Sequence, residues 1–145
     1  MLPLEAKEKI QSKDFLVKLE QLYVCGEQGA AKQAERIAGA IGQFENIYGG
    51  NRDIAVFSAP GRTEIGGNHT DHQGGRVLAA GVDLDAIAVT ARSANGKIRV
   101  KSHGFTEDAL FSDDLQKKPE EEGKSISLLR GLCKGFSDRG YKIGG

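Results

Sequence analysis

Apolar residues recur at helical spacing through the first third of the chain. Phe15, Leu19, Leu22 and Tyr23 fall at i, i+4, i+7 and i+8, which puts them on one face, and Ser12 stands where a cap belongs. Cys25-Gly26 ends that segment. Helix formers resume at Ala30, with Ile37, Ile41, Phe44 and Tyr48 on one stripe, until Gly49-Gly50-Asn51 stops them. The pattern predicts two amphipathic helices in series within a helical segment over 1–52. The run Ile54, Ala55, Val56, Phe57 then predicts a short buried strand over 53–59, broken by Pro60-Gly61.

Residues 84–103 show the period of a strand. Asn95-Gly96 is a strong hairpin signal, and a two-residue turn there pairs Ser93 with Ile98, Arg92 with Arg99 and Ala91 with Val100. One face of that hairpin would hold Ile87, Val89, Ala91, Ile98 and Val100, and the other Thr90, Arg92, Arg99 and Lys101. A short strand is expected near 109–112, then a surface loop around Pro119. A helix is expected over 125–139 with Leu128, Leu129, Leu132 and Phe136 on one stripe, closed by Gly140. Residues 141–145 read as the beginning of a further strand. Helices grouped apart from an antiparallel or mixed sheet imply an α+β fold, a sheet backed by helices, with the sheet part over 53–145.

Composition narrows the function classes. The 145 residues carry 20 Lys and Arg against 20 Asp and Glu. A zero net charge argues against a nucleic-acid partner, which calls for a basic excess. No apolar run is long enough to span a membrane, and the start of the chain does not resemble a secretion signal. Cys25 and Cys133 form no CxxC pair; a disulfide between them is one reading, and two free thiols of a cytoplasmic protein is the favoured one.

Candidate chemistry is concentrated between positions 57 and 78. Arg62, Glu64, His69, Asp71 and His72 crowd there among Gly61, Gly66, Gly67, Gly74 and Gly75. Gly61-x4-Gly66 is half of a phosphate-loop pattern, but Gly67-Asn68 follows where Lys and Ser or Thr would be needed. The spacing of His69, Asp71 and His72 does not put all three on one face, and His103 is the only other histidine, which weighs against a metal site. Two readings stay open on the residues alone. The stretch is a glycine-rich surface turn, or it is a polar ligand site. Short carboxylate, amide and imidazole groups match the paired donors and acceptors of sugar hydroxyls, and glycine lets a ring approach.

The order Ala59-Pro60-Gly61-Arg62, Ile65, Gly67, His69-Thr70-Asp71, Gly75, Val77, Leu78 resembles the first signature of the GHMP small-molecule kinases in its galactokinase form. The resemblance implies an N-terminal part of an ATP-dependent sugar 1-kinase that phosphorylates galactose at the anomeric hydroxyl. It implies Arg62 beside the reacting hydroxyl and the catalytic base, Asn68, His69 and Asp71 as sugar ligands, and Gly67 and Thr70 between and beside them. It implies ATP and Mg²⁺ in the full-length parent, on loops that follow this stretch. No resident metal site is expected within these residues.

The chain departs from the family pattern at Glu64, usually Asn, at Gly66, usually Ile, at Asn68, usually Glu, and at His72, usually Tyr. An amide at 68 can donate as well as accept, so a related sugar such as N-acetylgalactosamine or arabinose is the alternative substrate. A non-catalytic sugar sensor is the alternative outside enzymes. The chain is expected to be a fragment, without the ATP loop, and inactive by itself.

Overall fold

The computed structural model describes residues 1–67 and 70–143, and of Asp71 the backbone. Three helices precede the first strand, where the periodicity predicts two. Helix α1 (Pro3–Ile10) opens on Pro3, whose fixed φ suits a first turn, and Glu5 reaches back to accept the Leu2 amide at 3.0 Å. Helix α2 (Lys13–Tyr23) is capped as expected, since Ser12 Oγ accepts from the Phe15 amide at 3.4 Å. Helix α3 (Gly26–Tyr48) starts four residues before Ala30. The corner before it is tight: Val24 and Gly26 both take positive φ, and a Cβ on Gly29 would stand 2.5 Å from Cys25 Cβ.

The chain divides into two units, Met1–Ala91 and Arg92–Gly145. The first has the larger core. Ala6 and Ile10 of α1, Leu19 and Tyr23 of α2, and Ala30, Ala34, Ile37, Ile41 and Phe44 of α3 are buried together with Ile54. The alanines let α2 approach α3, and Ile41 is fully enclosed. Each such aliphatic side chain stabilises the unit by about 1.5–3 kcal/mol, which outweighs the helix propensity lost at Gly39 and Gly42.

This core rests on an antiparallel pair, β1 (Ile54–Gly66) and β2 (Leu78–Ala91). Ile54, Val56 and Ser58 lie opposite Ala91, Val89 and Ile87, so these residues share the face turned to the helices. Two expectations change here. Strand β1 is not a short buried strand, because among its residues only Ile54 is buried. Nor does Pro60-Gly61 break it. The strand runs on through Arg62 to Gly66, with register shifts between Pro60 and Arg62 and between Glu64 and Gly66. Proline is tolerated because β1 is an edge strand of a two-stranded sheet and Pro60 sits at its last rung before a register shift.

The expected hairpin across Asn95-Gly96 is also corrected. Strand β2 pairs with β1, and β3 (Lys97–Lys101) pairs with β4 (Glu107–Phe111), in separate two-stranded sheets. Asn95 does turn the chain, but by a local device. Its side-chain oxygen accepts from Lys97 N–H at 3.2 Å and Ser93 Oγ at 2.6 Å, which bends the backbone without a cross-strand ladder. Ile98 and Val100 therefore do not join Ile87, Val89 and Ala91 on one sheet face.

In the second unit, β4 buries Leu110 beside helix α4 (Ser125–Asp138). The buried residue of α4 is Arg130, whose guanidinium forks onto Glu121 at 2.7 and 2.6 Å and also reaches the Asp114 carbonyl. The apolar stripe Leu128, Leu132 and Phe136 is exposed. Gly140 ends the helix at positive φ, and Tyr141 N–H returns to the Phe136 carbonyl at 3.1 Å. Residues 141–143 carry no strand, and Gly144 and Gly145 lie outside the described residues. Cys25 and Cys133 are half-buried free thiols. No helix among the described residues is long and apolar enough to cross a membrane.

Candidate functional site

The signature residues occupy the end of β1 and the loop that carries the chain to β2. The loop is held by its own backbone, centred on Thr70. The Thr70 hydroxyl donates to the Gly67 carbonyl at 2.8 Å. The Thr70 carbonyl accepts from Gln73 N–H at 3.0 Å and Gly75 N–H at 2.8 Å, closing the 3-10 turn Asp71–Gln73. The Thr70 hydroxyl thus spends its proton inside the loop.

Two glycines make this geometry possible. Gly67 takes φ +121°, and a Cβ there would lie 2.7 Å from Val77 Cα and 2.8 Å from the Arg76 carbonyl. A Cβ on Gly75 would overlap the Thr70 side chain and stand 2.8 Å from its carbonyl oxygen. Both clashes involve backbone atoms, which cannot swing away. Gly67→Ala is therefore expected to destabilise the loop by about 1–3 kcal/mol. Thermal unfolding and amide exchange of residues 70–75 check this, and unchanged protection there would contradict it.

Arg62 lies on β1 opposite Gly81, exposed, with no side chain across the rung. Sequence reasoning put it in a loop, whereas the structure puts it on a strand. Asn68 and His69 lie outside the described residues, as does the side chain of Asp71. The backbone of Asp71 opens the 3-10 turn. His72 is exposed in that same turn.

A polar cluster that the sequence reading did not single out lies behind β1 and β2. The Asp85 side chain is 3% exposed and faces the helices. It accepts from Tyr23 Oη of α2 at 2.7 Å and from Ser58 Oγ of β1 at 2.5 Å, and it pairs with Arg36 of α3. Arg36 also donates to the Asp85 carbonyl at 3.1 Å. Burial pushes the Asp85 carboxyl up, but the hydrogen bonds from Ser58, Tyr23 and Arg36 together hold it below its ordinary range. The Tyr23 phenol is pushed up, by burial first and by the neighbouring carboxylate second. A signal was present in the sequence. Asp85 has the same parity as Ile87, Val89 and Ala91, so alternation sends a carboxylate inward.

The fold also recurs in a solved structure. A crystal structure of Lactococcus lactis galactokinase complexed with galactose aligns at TM-score 0.67 and 22% identity, over 75% of this chain and 28% of that one. The architecture is thus part of the GHMP-kinase type of fold. Residues 42–92 match the galactokinase galactose-binding signature. Bacillus subtilis galactokinase is 28% identical over 70% of this chain and 26% of its own length. Pyrococcus furiosus galactokinase is 36% identical over 62% of this chain and 24% of its own. By that signature and those relatives the chain is similar to galactokinases over the stretch that carries the galactose-binding signature. It spans about a quarter of the length of the curated relatives it matches.

Proposed function

We propose that the full-length protein is a cytoplasmic ATP-dependent kinase that phosphorylates galactose at its anomeric hydroxyl, and that these residues supply the sugar side of its site. The observation that carries this reading is the galactose-binding signature lying across β1, the Thr70-centred loop and β2. In the reaction the hydroxyl gives its proton to a base, the oxygen bonds to the γ-phosphorus, and the bond to ADP breaks. Arg62 would favour the ionised base and offset charge on the transferring group. Asn68, His69 and Asp71 would bind sugar hydroxyls, with Gly67 and Thr70 shaping the loop beside them. ATP and Mg²⁺ would be held in the main by residues of the full-length protein other than these, so the 145 residues alone are expected to form no ADP. Neither nucleic acid nor membrane is a partner in this reading.

Asp71→Ala in the full-length protein is expected to weaken galactose binding about tenfold to a hundredfold, since a hydrogen bond to a charged group contributes roughly 1.5–3 kcal/mol. Sugar titration by calorimetry measures it, and an unchanged affinity would remove Asp71 from the site. The departures at Asn68 and His72 favour a second reading, in which the sugar is a relative of galactose. A panel of galactose, N-acetylgalactosamine and arabinose with coupled ADP detection separates the two. A protein that binds sugar without forming ADP would instead be a sensor.

A further inference from the structure

The Asp85 cluster stands beside the first of the two register shifts that flank Arg62. Pro60 and Asp85 form the last regular rung of β1 and β2 before the register shifts, and the next pair is Arg62 with Gly81. Between those rungs β2 has three residues, 82–84, where β1 has only Gly61. The extra backbone closes against Gly61. A Cβ there would lie 3.1 Å from Val82 Cγ2 and 3.3 Å from the Leu84 carbonyl. The shift is two residues on β2, which preserves the alternation of faces. Arg62 therefore continues the face that holds Ser58 and Pro60, about 7 Å along the strand from the Pro60 rung.

A buried carboxylate is a costly way to stabilise a sheet, because desolvation offsets most of the gain from pairing. An apolar residue in line with Ile87 and Val89 would serve packing alone. What Asp85 adds is direction. It accepts from α2 through Tyr23, from α3 through Arg36 and from β1 through Ser58. Three elements are thereby tied to one carboxylate at the root of the insertion that abuts Gly61, immediately before Arg62.

We propose that Asp85, held by Tyr23, Arg36 and Ser58, is a positioning residue that fixes the strand insertion at 82–84 and through it the placement of Arg62. The inference rests on the reading of Arg62 given under Proposed function. A cation acts on a transferring phosphoryl only when its geometry is held, and small misplacements cost rate rather than binding.

The test uses Tyr23→Phe and Ser58→Ala in the full-length protein, each of which removes one hydroxyl and leaves the carboxylate and the fold in place. At saturating galactose and MgATP each is expected to lower kcat about tenfold per folded molecule. The KM for sugar should stay within about twofold, because the sugar loop is held separately around Thr70. In an Arg62→Lys background, itself slower than the parent, the same substitutions should no longer lower kcat. Loss of thermal stability with unchanged kcat per folded molecule would show the cluster to be structural only and overturn the inference. An equal kcat loss in both backgrounds would do the same. An Arg62→Lys protein as fast as the parent would overturn the reading of Arg62 first and this inference with it.

Discussion

Arg62→Ala in the full-length protein is expected to lower kcat by about 10²–10³-fold, the range seen when one preorganised charge-stabilising group is removed from a site. The KM for sugar should change much less, because Arg62 would act on charge that develops only in the transition state. The structural basis is its exposure on a strand opposite Gly81, where no facing side chain covers it. Lysine should recover only part of the loss, since a single ammonium lacks the planar fork of a guanidinium. Steady-state kinetics with both substrates varied measure this. A loss confined to KM would make Arg62 a binding residue instead.

The second large effect concerns stability. Asp85→Ala is expected to destabilise the first unit by about 3 kcal/mol, near the low end for breaking a buried ion pair because Arg36 stays partly exposed. The loss also strands the hydroxyls of Tyr23 and Ser58. The dependence on pH follows from the depressed carboxyl. A group whose folded pKa lies below its unfolded value stabilises the fold above the unfolded value, near 3.9 for aspartate, and loses that contribution as acid takes it through the folded value. Urea unfolding of the parent and of Asp85→Asn should differ strongly at pH 7, with the gap narrowing below about pH 4. A gap independent of pH would mean that the charge of Asp85 does not matter.

Much of the local structure was legible in the residues. The caps and stripes of α2, α3 and α4 depend on neighbours within a few positions, and Ser12, Gly49 and Gly140 stand where the helices turn out to begin and end. Helix α1 was missed because its apolar positions, Ala6 and Ile10, are too few to show a period. The glycines of the signature were legible for a similar reason. Gly67 and Gly75 are required by atoms of the same loop.

The sequence by itself thus determined the helices α2, α3 and α4, where they stop, and which stretch bears the signature, because each depends on short-range chemistry. Only the tertiary structure decided the partner of β2. Asn95-Gly96 favours a turn, but a turn does not choose its ladder. The choice went to β1, which brings Ile54 and Val56 into register with Ala91 and Val89 against the helices. The strand context of Arg62 and the meeting of Tyr23, Arg36, Ser58 and Asp85 follow from that pairing. Those four residues are spread over more than sixty positions. Their contact is a property of packing, which no local pattern encodes.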